Sequence, residues 1–168
     1  MQRLGEFPLK IGFVGTGFIT EAMVNGLYRA SAEDLSVSVS PRNADIARRL
    51  AEKYASVCVG SSNQDVVDRS TMVVLALRPS DARPVLKDLL FRPDHHIVSV
   101  IAGVTLSEAR ELVAPASRVT LAIPLPAMAL GDAPMVITPP DPTVEDVFGR
   151  AGSVIQVEDE VAYAALGT

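Results

Sequence analysis

The residues best placed for chemistry stand at positions 15–20. Gly15-Thr16-Gly17-Phe18-Ile19-Thr20 follows a short apolar run at 10–14. It opens a stretch with apolar residues at Ile19, Ala22, Met23, Gly26, Leu27 and Ala30. Steps of three and four place those side chains on one face of a helix. The hexapeptide matches G-x-G-x-x-(G/A) at its first two glycines and carries Thr20 at the third position. A bare glycine pair also serves as a tight turn, but a strand before it and a helix after it are what phosphate binding requires. In that setting Gly15 lets the chain turn, and Gly17 lets backbone amides approach a pyrophosphate at the positive helix end. Thr20, larger than Gly or Ala, is expected to hold the helix slightly off the sheet. The chemistry indicated is dinucleotide binding.

The end of the second strand chooses the dinucleotide. A site for NAD places an acid there, about 20 residues further on, to accept from the ribose 2′-hydroxyl. This chain has Ser38-Val39-Ser40-Pro41-Arg42-Asn43 and no acid. Ser40 can donate to a 2′-phosphate and Arg42 can add charge-assisted hydrogen bonds, which favours NADP(H). The competing reading makes Arg42 a solvated residue ahead of a helix capped by Asn43. Other reactive side chains offer less. Cys58, between Val57 and Val59, fits a small hydrophobe. His95 and His96 precede a strand with side chains to opposite faces, which suits a solvated turn better than a metal site. Glu158, Asp159 and Glu160 fit an exposed helix start. No Ser/His/Asp constellation and no meeting pair of carboxylates is visible, so no catalytic residue and no metal ligand is assigned.

The elements that must position these residues alternate along the chain. Strands are expected at 10–14, 37–39, 57–59, 72–77, 97–101 and 118–123, the run at 72–77 being central because it is aliphatic throughout. Helices are expected between them. One is capped by Asn43, one by Ser62 with Asp65, and one by Thr105 with Glu108. Another runs over 80–90, with Pro84 tolerable only in its first turn. Six strands with helical crossovers predict an α/β fold: a doubly wound Rossmann-type sheet, mainly parallel. Beyond Ala114 lie Pro115, Pro124, Pro126, Pro134, Pro139, Pro140 and Pro142. Because proline cannot donate to a ladder, the runs 135–137 and 154–157 are expected as edge strands. A helix started by Thr143 with Asp146 lies between them. The run 161–166 opens a last helix with nothing after it to pack against.

The 168 residues amount to about one domain. Fifteen Lys and Arg against twenty Asp and Glu give a net charge of −5. No general positive field exists to hold a nucleic acid or an anionic membrane. The longest aliphatic run is far short of the ~20 residues that span a bilayer, and the first ten residues lack the apolar core of a secretory signal. A cytoplasmic protein is expected.

Four segments carry a family resemblance: Ile11-Gly12-Phe13-Val14-Gly15-Thr16-Gly17, Ser40-Pro41-Arg42, Leu75-Ala76-Leu77-Arg78-Pro79 and Ser99-Val100-Ile101-Ala102-Gly103-Val104-Thr105. Over nearly its whole length the chain resembles the N-terminal domain of pyrroline-5-carboxylate reductase, the last enzyme of proline synthesis. The resemblance implies NADPH-dependent reduction of a cyclic imine, with Ala76, Leu77, Arg78, Pro79, Ala102 and Gly103 along the nicotinamide half of the cofactor. Pro79 as a plain strand terminator and Ala102-Gly103 as a tight turn are the competing readings. The chain also departs from the family. Where the family has Arg-x-Met-Pro-Asn, this chain has Leu121-Ala122-Ile123-Pro124-Leu125, and Phe18-Ile19 replaces a common Asn-Met. A divergent paralogue is implied, with its substrate open. The family continues into a helical dimerisation domain, which implies a homodimer or higher oligomer for a full-length protein. Residues 1–157 are therefore expected to form the dinucleotide-binding domain and 158–168 to begin a helix leading into a helical domain absent here. Little turnover is expected of this chain alone. Two alternatives stand beside this reading. One is another two-domain NADP-dependent oxidoreductase, of the β-hydroxyacid dehydrogenase or deazaflavin-dependent type. The other is a non-catalytic NADP-binding module.

Overall fold

Each apolar run becomes a strand and each amphipathic stretch a helix, in the order the sequence spacing requires. The structure is a computed structural model and describes residues 8–30, 34–131 and 133–167. Its first half contains β1 (Leu9–Val14), α1 (Phe18–Ala30), β2 (Leu35–Val39), α2 (Ala44–Lys53), β3 (Val57–Val59), α3 (Asn63–Arg69) and β4 (Met72–Leu75). Then follow α4 (Pro79–Leu86), β5 (His96–Ser99), α5 (Leu106–Leu112), β6 (Arg118–Ile123) and a short 3-10 helix, Pro126–Leu130. The chain closes with β7 (Met135–Thr138), α6 (Pro142–Phe148), β8 (Val154–Gln156) and α7 (Glu160–Leu166). One eight-stranded sheet results, in the order β3-β2-β1-β4-β5-β6-β7-β8. Strands β1 to β6 are parallel, β7 runs antiparallel to β6, and β8 is parallel to β7. The order reverses at β1, between β2 and β4, so the crossovers diverge there and leave a crevice beyond the strands' carboxyl ends.

Strand alternation supplies two cores, one on each face. Met23 and Leu27 of α1, Leu50 of α2, Met128, and Val144 and Phe148 of α6 pack on Ile11, Phe13, Val37 and Val74. On the other face Val66, Leu86, Val113 and Tyr163 pack on Val14, Val73, Leu75, Ile97 and Leu121. All of β4 is buried, as an aliphatic central strand requires. Each fully buried Leu, Ile or Phe contributes about 1.5–3 kcal/mol, so the two layers hold the site's floor rigid. The 3-10 helix lies tightly on α1. A Cβ on Gly26 would stand 2.6 Å from the Met128 carbonyl oxygen, so only glycine permits that approach.

Several expectations are corrected. Asn43 does not cap α2; it sits at φ 66°, ψ 66° and its side chain makes no capping bond. Asn tolerates this left-handed conformation, which lets the chain turn sharply after Arg42. Pro84 lies inside α4, beyond the first turn; the helix is short and ends at Leu86, and Pro84 is on its exposed side. The α6 cap is Asp141, which accepts from the Thr143 and Val144 N–H groups, rather than Thr143 itself. β7 is an interior strand between β6 and β8; Pro134 and Pro139 bracket it instead of interrupting its ladder.

The two histidines are buried, not solvated. His95 Nδ1 accepts from the Arg92 N–H at 3.0 Å. His96 Nε2 lies 3.1 Å from Asp141 Oδ2, an ion-pair distance without hydrogen-bond alignment. Arg118 donates to both carboxylate oxygens of Asp141 and to the Thr143 hydroxyl. This cluster stands at the amino end of β5 and β6, far along the strands from the glycine loop.

Candidate cofactor site

The glycine loop is held by its neighbours' hydroxyls. Gly15 adopts φ +97°, and a Cβ there would run into the Ala76 carbonyl at the end of β4, so no other residue fits. The Gly15 N–H donates to Ser40 Oγ at 3.0 Å. The Thr16 hydroxyl donates to the Ser40 carbonyl at 2.7 Å, and the two hydroxyl oxygens are 2.9 Å apart. The Thr20 hydroxyl donates to the Gly15 carbonyl at 2.6 Å. Thr20 is therefore fully buried as a brace of the loop. The first helical bond closes from the Glu21 N–H to Gly17 O at 3.0 Å. The N–H groups of Phe18, Ile19 and Thr20 are left pointing out of the helix start. Above Gly17 nothing lies within 4 Å of where a Cβ would be, so open space meets these donors. This is a cradle of the size and polarity a pyrophosphate needs, and the residues present fit a dinucleotide.

Two limbs extend from the cradle. Beyond β2, Ser40 is 0% exposed and its hydroxyl is engaged by the loop, which leaves Arg42 as the free cation of that limb. Arg42 is exposed and no described carboxylate pairs with it, and Pro41 is half-buried beside it. Beyond β4, Ala76 and Leu77 are half-buried under the loop, while Arg78 and Pro79 are exposed at the start of α4. Beyond β5, Ala102 and Gly103 form an exposed turn, with Gly103 at φ +74° and open space above it.

The second limb leads into a cleft of about 420 Å³ at the carboxyl ends of β5 and β6. Ile19, residues 100–105 and residues 121–124 line it, together with Glu160, Tyr163, Ala164 and Gly167. Of the sequence-assigned residues, the structure thus brings Ile19, Ala102 and Gly103 together in this cleft. Gly15, Thr16, Gly17, Phe18, Thr20 and Ser40 belong to the cradle, and Arg78 and Pro79 stay outside the lining. Leu121 is buried in the cleft wall and Leu125 is half-exposed just beyond it. The contribution of α7 was missed in the sequence, which showed only a helix start at Asp159. Asp159 does cap α7 through the Val161 N–H, and Glu160 Oε1 accepts from the Leu106 N–H at 2.8 Å. Burial and the neighbouring Glu160 charge push the Tyr163 phenol above its ordinary range.

Comparison with known proteins agrees with this geometry. Residues 10–103 match the family described as NADP oxidoreductase, coenzyme F420-dependent. A pyrroline-5-carboxylate reductase of Mycobacterium tuberculosis is 33% identical over 130 residues, 73% of this chain and 43% of that protein. The solved pyrroline-5-carboxylate reductase from Coxiella burnetii superposes with a TM-score of 0.80 at 25% identity, over 94% of this chain and 63% of that one. A Plasmodium falciparum pyrroline carboxylate reductase, solved with NADP bound, gives a TM-score of 0.74 at 19% identity over 92% of this chain and 59% of that one. The chain spans about half the length of the relatives it matches. Cradle, open Arg42 limb and strand order are those of a Rossmann domain for NADP(H), and the chain belongs to the coenzyme F420-dependent NADP oxidoreductase family, where it is related to the pyrroline-5-carboxylate reductases.

Proposed function

We propose that this domain seats NADPH for a reductase resembling pyrroline-5-carboxylate reductase, which reduces the C=N bond of a small cyclic imine. The observation that carries the reading is the pairing of a pre-shaped phosphate cradle with an unpaired Arg42 where an NAD site needs an acid. The backbone amides of Phe18, Ile19 and Thr20 at the start of α1 would hold the pyrophosphate, and Arg42 would pair with the 2′-phosphate. NADPH, when bound, supplies the hydride; the protein supplies orientation and a dry wall for the ring.

Residues 1–157 serve as the cofactor domain and 158–168 as the approach to a helical domain that closes the pocket and joins two or more subunits. Cytoplasmic action and a small-molecule partner, with no nucleic acid or membrane, fit the net charge of −5. No helix among the described residues is long and apolar enough to cross a membrane. Leu121 and Leu125, apolar where the resemblance implies Arg and Asn, favour a second reading in which the substrate is another imine or carbonyl compound. Calorimetric titration tests the cofactor assignment. NADPH is expected to bind well ahead of NADH, and Arg42→Ala to weaken NADPH by about ten- to a hundredfold. Equal binding of NADPH before and after the substitution overturns it. Robust reduction of pyrroline-5-carboxylate by the 168-residue chain alone overturns the need for a second domain.

A further inference from the structure

One polar side chain in the cleft wall bonds no other described residue. α7 inserts the Tyr163 ring beside Ile101 and Leu121, and the residue is 9% exposed. The enclosed hydroxyls at this end of the sheet are matched: Thr16, Ser40 and Thr20 bond one another and the loop backbone. Glu160, one turn earlier on α7, is anchored on the Leu106 N–H. The Tyr163 hydroxyl bonds no described residue; burial and the Glu160 charge alone act on it, and both keep it protonated.

The ring is buried while its hydroxyl stays within reach of solvent, and a buried tyrosine ordinarily finds a hydrogen-bond partner at that end. A ligand that brings a hydrogen-bond acceptor into the cleft takes the place of water there. The walls state what else the ligand must be. They are mostly aliphatic or glycine, with Thr105 at one side, and Glu160 is the acidic side chain among the lining residues, so a phosphate is disfavoured and a flat uncharged ring is welcome. A volume of about 420 Å³ admits such a ring with room beside it. The ring bearing one amide that the cradle delivers to this side is the nicotinamide.

We propose that the Tyr163 hydroxyl donates a hydrogen bond to the carboxamide oxygen of the nicotinamide, with Glu160 fastening α7 so that the phenol stays aimed into the cleft. This assignment rests on the NADP(H) reading above. It makes α7 a working wall of the cofactor site and places a polar anchor on it, beside the apolar Leu121.

The test titrates the 168-residue chain and its Tyr163→Phe variant with two probes, NADPH and adenosine 2′,5′-bisphosphate, which lacks nicotinamide. The variant is expected to bind NADPH about five- to tenfold more weakly, the range one lost hydrogen bond gives. Its affinity for the bisphosphate is expected to be unchanged, and the emission of the bound reduced ring to move toward its position in water. Unchanged NADPH affinity overturns the role of Tyr163 and leaves the cofactor assignment standing. Equal weakening toward both probes also overturns it, since the change then reaches beyond the ring. Failure of the unsubstituted chain to bind either probe overturns the cofactor reading itself.

Discussion

Ser40 shows how a residue can be found for one reason and matter for another. Its type and position, at the end of β2 where a ribose phosphate is read, made it a candidate donor in the sequence. In the structure its hydroxyl accepts from Gly15 and its carbonyl accepts from Thr16, so the side chain shapes the loop. No sequence pattern could reveal this, because it depends on β1 and β2 lying parallel with Phe13 beside Val39. An arginine at position 42 and the lack of an acid over 38–43 are legible in the sequence, because they are matters of residue type alone. Replacing Ser40 by Ala removes the acceptor of the Gly15 N–H, while the Thr16 hydroxyl keeps the residue-40 carbonyl, at a cost of about 1–3 kcal/mol. For a chain of this size that corresponds to a thermal midpoint lower by roughly 2–10 °C. NADPH affinity is expected to fall as well. Scanning calorimetry and titration of Ser40→Ala measure both, and a variant with the midpoint and affinity of the parent contradicts the bracing role.

Among the elements, those with strong periodicity or a continuous aliphatic run were legible from the sequence, and those defined by tertiary packing were not. β4 appears at the expected place, though it ends at Leu75 and not at position 77, and the Thr105 to Glu108 capping box appears as expected, because each is encoded within a few residues. β7 was misplaced to an edge: prolines next to a strand and prolines within one look alike until the ladder is seen. α7 was read as a tail without a surface to meet, yet Tyr163 and Glu160 fix it to the sheet and to the start of α5. Glu160→Ala removes the acceptor of the Leu106 N–H. The amides of α7 and of Leu106 should then exchange with deuterium about tenfold faster, with the β1 and β4 amides unaffected. Exchange in α7 that keeps its parental rate shows that Glu160 does not hold the helix.

At the scale of the whole molecule the sheet divides its labour between its two ends. The carboxyl end carries the cradle and the cleft. The amino end carries His95 and His96, read in the sequence as a solvated turn, together with Asp141 and Arg118. Burial pushes both imidazoles below their ordinary value of 6.5, against the pull of Asp141 on His96. Burial also works against the Asp141 charge, but Arg118, the Val144 N–H and His96 outweigh it and hold the carboxyl below 3.8. The unfolded chain therefore binds more protons than the folded one as pH falls. Stability is complete above pH 6.5 and declines as acid reaches the unfolded histidines, with a second loss below 3.8 as Asp141 becomes protonated. Thermal melts across this range should show a level midpoint in mild alkali and a steady fall below about pH 6.5, shallower in His96→Gln. A midpoint that climbs on acidification contradicts this arrangement.

The hydroxyl clasp between Gly15, Thr16, Ser40 and Thr20 has one more consequence. The loop takes its working shape when the chain folds, so its ordering entropy is settled once, and an arriving nucleotide meets a surface that has nothing left to rearrange. Capture of the phosphates is then governed by encounter, and release by how many contacts must be broken.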